Sequence, residues 1–300
     1  MTLMLLDSAS LWYRAYFGMP DTLVNDDGQP VHAIRGFLDM SARLIAQYKP
    51  DRIVACLDGD WRPSWRVELF PEYKANRLVE EGEEELEPET LTPQIPILLD
   101  LLDELGIPIV GADDYEADDV IATYSVREKG PILIVTGDRD LFQLVNEKRN
   151  VKIVYLARGI SNHDLVDKAW ISQKYDIPGD RYALFAMIRG DASDGLPGIR
   201  GIGEKGAAVI AQSFSTMKEV IDAAQSNDEK LPAPLRKKIL SDINYAHIAE
   251  KLVHCALDVP LPKTKLDIPK AKNDLSGIYR LKEANNLGAS VDRFISALGW

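Results

Sequence analysis

Pro131-Ile132-Leu133-Ile134-Val135-Thr136-Gly137-Asp138-Arg139-Asp140 sets an unbroken apolar run directly against a glycine and two carboxylates. Such a run reads as a strand buried on both faces, with the acids just beyond its carboxyl end. The same arrangement occurs twice upstream, at residues 2–6 before Asp7 and at residues 52–57 before Asp58, and residues 151–156 form one more apolar run. Helical periodicity fills the gaps at residues 33–47, 92–105 (closed by Gly106) and 116–129 (closed by Gly130), with Asp113 and Asp114 as candidate caps for the last. Strands alternating with helices predict an α/β fold with a mainly parallel central sheet flanked by helices, and ligands at the carboxyl ends of its strands. Asp7, Asp58, Asp138 and Asp140 are expected to converge there. From about Lys168 onward the pattern is helical, so a second, mostly helical region is expected.

The chain has 300 residues, 46% hydrophobic and 27% charged, enough to bury a substantial core. Cys56 and Cys255 are too few for a disulfide scaffold and lack zinc-site spacing, so a reducing, cytoplasmic setting is expected. No basic leader and no long apolar run occurs, which argues against a membrane. The formal charge of −12 argues at first against a nucleic-acid partner. Nine of the negative charges, however, fall in one candidate cluster, so charge placement matters more than the sum. Residues 80–89 hold seven glutamates and are expected to be solvated.

The cluster is densest at Asp113-Asp114-Tyr115-Glu116-Ala117-Asp118-Asp119, five acids at the start of an apolar helix. A helix N-terminus favours one or two acids through its dipole; five exceed that need. Glu116 and Asp119, three apart, are expected to share a face, with Asp118 reaching a neighbouring ion or water. Gly190-Asp191-Ala192-Ser193-Asp194 adds another pair. Asp7, Asp58, Glu116, Asp118, Asp119, Asp138, Asp140, Asp191 and Asp194 come from five segments without His or Cys, a donor set suited to Mg2+ or Mn2+ rather than zinc.

Gly198-Ile199-Arg200-Gly201-Ile202-Gly203-Glu204-Lys205-Gly206 lacks the Gly-Lys-Ser/Thr of a phosphate loop, and no strand precedes its dinucleotide-like glycines. A glycine hairpin between helices can instead offer backbone N–H groups to a DNA phosphate, which makes Gly201, Gly203 and Lys205 candidate DNA contacts. Trp61-Arg62-Pro63-Ser64-Trp65-Arg66 and Phe70-Pro71-Glu72-Tyr73-Lys74-Ala75-Asn76-Arg77 interleave cations and aromatics after Asp58. Cations beside an acidic metal cluster suit a phosphodiester, and aromatics can stack on unpaired bases; Arg66 and Tyr73 are the candidate contacts here.

These motifs together resemble the 5' nuclease family: the 5'-3' exonuclease domain of bacterial DNA polymerase I, phage 5' nucleases and flap endonucleases. The resemblance runs from Asp7 to Lys205 and fades beyond about Leu257. It implies a PIN-like nuclease domain over residues 1–167, with a helical arch at about 61–96. A helical DNA-binding region would follow over 168–300, with a helix-three-turn-helix element at about 181–214. It implies divalent-metal hydrolysis at the 5' ends and flap junctions of DNA, including RNA-primed ends, as in replication and repair. The nine acids would hold two or three ions, with Glu116, Asp119 and Asp138 as primary ligands, and Lys74 and Arg77 would stabilise charge on the phosphate. An optional K+ at the glycine hairpin, a monomeric state and a nucleoid-associated, cytoplasmic location also follow from it. The chain departs from the family pattern at Gly195, where Asn is frequent, and at Ser8, where Gly is frequent; neither change removes a ligand. The competing readings are a branched-DNA-binding protein without turnover and a PIN-type ribonuclease.

Overall fold

The computed structural model describes residues 1–79, 85 and 87–300. Its sheet has six strands: β1 (Leu3–Asp7), β2 (Arg52–Cys56), β3 (Ile109–Val110), β4 (Ile132–Thr136), β5 (Val151–Tyr155) and β6 (Asp164–Val166). They lie in the order β3-β2-β1-β4-β5-β6, all parallel except β6. Strand order reverses beside β1, which pairs with β2 on one side and β4 on the other. That is where an open α/β sheet presents a crevice at its carboxyl ends.

Leu3, Met4, Leu5 and Leu6 are all fully buried because both faces of β1 are covered, each such side chain contributing about 1.5–3 kcal/mol by leaving water. The period-2 pleat sends Leu3 and Leu5 into one core and Met4 and Leu6 into the other. The first core lies under helix Ala117–Arg127 and the helices of the second region: Lys168–Tyr175, Tyr182–Arg189, Glu204–Ser213, Met217–Ser226, Ala233–Ser241 and Ile243–Val253. The second lies under Ser8–Gly18, His32–Tyr48 and Gln94–Glu104, joined by the last two helices, Ser276–Ala284 and Ala289–Ala297. The tail is brought back by backbone pairing beside β2: Ile53 N donates to Leu266 O (2.8 Å) and Ile268 N to Asp51 O (3.0 Å). Residues 266–300 therefore pack on the N-terminal half of the fold rather than on the helical region that precedes them.

The expected strands at residues 2–6, 52–57, 131–136 and 151–156 are present. The short β3 and β6 carried too few apolar residues to be read in advance. Asp113 and Asp114 do not cap helix Ala117–Arg127; Glu116 occupies the N-cap. Asp114, at φ +62°, instead accepts from Ser64 N (2.5 Å) and Ser64 Oγ (2.8 Å), tying the start of helix Ser64–Leu69 to this loop. Within the acidic tract 80–89, residues 80–84 and 86 lie outside the described residues, and with them part of the expected arch. Glu85 stands 3.6 Å from Arg77 Nη1, and Glu87 Oε1 accepts from Tyr13 OH (3.1 Å). Among the described residues no helix is long and apolar enough to cross a membrane.

Candidate active site

A cleft of about 360 Å³ opens at the carboxyl ends of the strands, and eight of the nine candidate acids line it: Asp7, Asp58, Glu116, Asp118, Asp138, Asp140, Asp191 and Asp194. Each arrives from a strand end, a helix start or a bridged loop for a local reason. Asp7 ends β1, accepting from Thr136 Oγ1 (2.6 Å) at the end of neighbouring β4. Asp58 follows β2 and accepts from Ala117 N (2.7 Å), a free N–H in the first turn of its helix. Asp138 follows β4, its Oδ1 accepting from Asp140 N (2.8 Å) in a tight turn, and both acids line the cleft. Asp191 and Asp194 come from the loop after helix Tyr182–Arg189, closed by the Asp191–Leu196 bridge.

Asp119 is not brought to the cleft. Its carboxylate is 0% exposed; Oδ1 and Oδ2 each accept from Arg66 at 2.8 Å, Oδ1 also from Ala256 N (2.7 Å) and Oδ2 from Glu116 N (3.2 Å). Sequence spacing correctly linked Glu116 with Asp119, but could not tell which of the acids would turn toward the cleft. Glu116 and Asp118 are the two that do.

Arg66 and Tyr73, the expected DNA contacts, also line the cleft, but each is only 3% exposed and its polar atoms are spent on acids, so neither is free to contact DNA. The Arg66 guanidinium is consumed by Asp119 and Glu116 (2.7 Å), and Tyr73 OH donates to Glu116 Oε2 (2.8 Å). Helix Ser64–Leu69 turns Arg66 inward against helix Ile243–Val253, whose Leu252 O accepts from Arg66 Nε (3.4 Å). The pattern of cations and aromatics was visible in the sequence; its orientation depended on a helix from the far region.

Lys74 and Arg77 do reach the cleft. Lys74 Nζ donates to Glu116 Oε1 and to Trp61 O (3.1 Å), while Arg77 Nη2 donates to Asp194 Oδ1 (2.5 Å). Burial lowers the Lys74 pKa, but Glu116 and Asp194 more than offset this, so it stays charged well above its ordinary range. The 71–77 segment is clamped by the 192–195 loop: Lys74 N donates to Asp194 O (2.9 Å), Arg77 Nε to Ser193 O (3.2 Å) and Asn76 Nδ2 to Ser193 O (3.2 Å). Arg139, Gln143, Tyr13 and Ser10 also line the cleft and were not singled out from sequence. Arg139 was legible as the cation between Asp138 and Asp140, and it lies 3.7 Å from Asp191. Away from the cleft, Gly201, Gly203 and Lys205 are all exposed, and Gly203 precedes helix Glu204–Ser213 with no side-chain cap. That leaves the first-turn N–H groups without a capping side chain, as an anion contact requires.

Family models for the 5'-3' exonuclease N-terminal resolvase-like domain and C-terminal SAM fold match residues 2–176 and 177–275. The chain belongs to the 5'-3' exonuclease family. A 5'-3' exonuclease of Streptomyces coelicolor is 46% identical over 299 residues, covering 98% of this chain and 99% of that one. A DNA polymerase I of Mycobacterium tuberculosis is 32% identical across 99% of this chain but only 32% of its own length. The fold is shared with a phage T5 protein co-crystallised with metal ions (TM-score 0.66, 17% identity, 100% of this chain and 97% of that one). It is also shared with human GEN1 in complex with Holliday junction DNA (TM-score 0.62, 15% identity, 99% and 71%).

The acids of this exonuclease fit a divalent cation by their chemistry. All donors are oxygen, and they repel one another: burial pushes Asp7 up to about 7, helped by Asp138 and Asp58 against the Thr136 hydrogen bond. Burial and neighbouring acids likewise push Asp118 and Asp140 well above the carboxylate range. Asp191 moves the other way: burial raises it, but the Ser193 N–H and O–H, Arg189 and Arg139 more than compensate. As the side chains lie, no three acids among the described residues stand close enough to grip one ion.

The direction at Asp7 sets a pH dependence. Its folded-state pKa lies above its unfolded value of 3.8, so the folded protein holds a proton that the unfolded chain releases between those values. Without metal, this group's contribution must fall as pH rises from about 4 to about 7, by at most about 1.4 kcal/mol per pH unit. Unfolding midpoints in EDTA should therefore fall less steeply with pH in Asp7→Asn than in the parent, and Mg2+ should remove the difference. Equal slopes would contradict the assignment.

Gly195, the departure from the family's Asn, has a local cause. At φ +69°, a Cβ there would lie 2.5 Å from Glu72 O and 3.5 Å from Lys74 N. Gly195→Ala should cost about 1–2 kcal/mol through its backbone alone. It should also push back the Lys74 turn, so cleavage should fall several-fold more than the loss of folded protein. A fall matched by the folded fraction would exclude the coupling.

Proposed function

We propose that the chain is a structure-specific 5' nuclease that hydrolyses phosphodiester bonds at flap junctions and 5' ends of DNA, including RNA-primed ends. The observation carrying this reading is the convergence of eight acids from five segments beside two fixed cations, Lys74 and Arg77. Glu116, Asp118, Asp138 and Asp7 would hold one Mg2+ or Mn2+, and Asp140, Asp191 and Asp194 would complete a second site. When bound, such ions lower the pKa of water to make a nucleophile and neutralise charge on the leaving 3' oxygen.

The protein's own part is positioning and charge. Lys74 and Arg77 would face the negative oxygens of the scissile phosphate, and both are already held by hydrogen bonds, so little reorganisation would accompany reaction. The uncapped N–H groups after Gly203 and the charge of Lys205 would hold a duplex phosphate, setting the register of the cut. A K+ at that hairpin would serve the same contact.

The test is cleavage of a 5'-labelled flap duplex in Mg2+, in Mn2+ and in EDTA, with Asp118→Asn controlling for contaminants. Metal-dependent cuts near the junction, absent in the variant, are expected. Tight flap binding without cleavage in either metal would overturn the reading, and stronger cleavage of single-stranded RNA at equal concentration would replace it with a ribonuclease.

A further inference from the structure

Arg66 and Asp119 form the most enclosed ionic contact near the cleft: Arg66 lines the cleft, whereas Asp119 lies behind it. A guanidinium that is 3% exposed and a carboxylate that is 0% exposed are retained only where hydrogen bonds replace water. Here they do. Arg66 Nη2 donates to Asp119 Oδ1 (2.8 Å), and Nη1 divides between Asp119 Oδ2 (2.8 Å) and Glu116 Oε2 (2.7 Å). Asp119 is saturated by Ala256 N and Glu116 N in addition. Glu116 is then suspended from three donors, Arg66, Tyr73 OH and Lys74 Nζ, in the lining of the cleft. The pair is also anchored to the helical region, through Leu252 O at the end of helix Ile243–Val253 and through Ala256 N just beyond it.

We infer that Arg66 and Asp119 are positioning residues. Asp119 aligns Arg66, and Arg66 holds the Glu116 carboxylate facing the cleft, so that the placement of one cation ligand depends on the seating of the helical region. The inference rests on the reading of the cleft as a divalent-cation site. It separates Asp119 from the other eight acids: its removal should weaken the grip on metal without deleting a ligand. Partners that orient a ligand without touching the ion typically change metal affinity by about 10–100-fold.

The test measures Mn2+ binding without DNA by calorimetry for the parent, Arg66→Lys, Asp119→Asn and the double variant Arg66→Met/Asp119→Leu, with unfolding midpoints alongside. Lysine keeps the charge but cannot span both acids. Arg66→Lys and Asp119→Asn should bind the parent's number of Mn2+ ions about 10–100-fold more weakly, and the Mn2+ concentration for half-maximal flap cleavage should rise by the same factor. The double variant removes both buried charges together, so it should fold even where a single variant does not. It should remain weak for Mn2+, because Glu116 has lost a donor. Loss of one bound ion in Asp119→Asn alone would make Asp119 a ligand and overturn the inference. Lowered midpoints with unchanged Mn2+ affinity would reduce the pair to scaffolding and overturn it as well. A parent protein that binds no Mn2+ at all would remove the cation-site reading and the inference with it.

Discussion

Lys74→Ala is expected to slow single-turnover cleavage of a flap duplex by about 10²–10³-fold, the size of effect seen when one preorganised charge is removed from a reacting centre. The turn that carries Lys74 holds it at φ +50°, its backbone N–H is tied to Asp194 O (2.9 Å), and its ammonium lies between Glu116 and Trp61 O. It is a cation whose position is set before substrate arrives. The fold should survive the change, because Glu116 keeps its hydrogen bonds from Arg66 and Tyr73. The affinity for uncleaved DNA in EDTA should change far less than the rate, since the duplex-phosphate contact proposed at Gly203 and Lys205 does not involve Lys74. A defect confined to binding would refute the role assigned to Lys74.

Asp118→Asn should produce a loss of cleavage of about 10³-fold or more, by the same electrostatic reasoning, together with a gain in stability when metal is absent. Burial first, and then the charges of Asp7, Asp138 and Glu116, push the Asp118 carboxyl well above its ordinary range. The isosteric amide removes that conflict while filling the same space. Relief of about 1 kcal/mol would raise the unfolding midpoint in EDTA by about 2–4 °C. In saturating Mg2+ the order should reverse, because the parent gains more from binding. A variant that melts lower in EDTA and still cleaves would show that Asp118 supports the fold rather than the reaction.

The convergence of these acids was legible because it follows from strand ends. Asp7, Asp58 and Asp138 each follow an apolar run that can only be a buried strand, and parallel strands put their carboxyl ends on one side. Lys74 and Arg77 were placed by resemblance and by their position after Asp58, and the structure carries both to the cleft. Asp119, Arg66 and Tyr73 were misplaced for a common reason. All three are ionic or aromatic residues of the kind usually found at a surface, yet Arg66 and Asp119 bond to Leu252 and Ala256, at and just beyond the end of helix Ile243–Val253 and well over a hundred residues downstream, and Tyr73 turns onto Glu116. No local pattern encodes those contacts. The return of residues 266–300 to the edge of β2 was hidden likewise, since its backbone pairing leaves no periodic mark.

By itself the sequence determined four of the six strands, their parallel arrangement and the inventory of acids, since apolar runs and the glycines and carboxylates that end them act over a few residues. Only the tertiary structure decided which acids face the cleft. Whether a carboxylate meets water, a cation or a guanidinium depends on what packs over it, and that contact is made by chain far away in sequence.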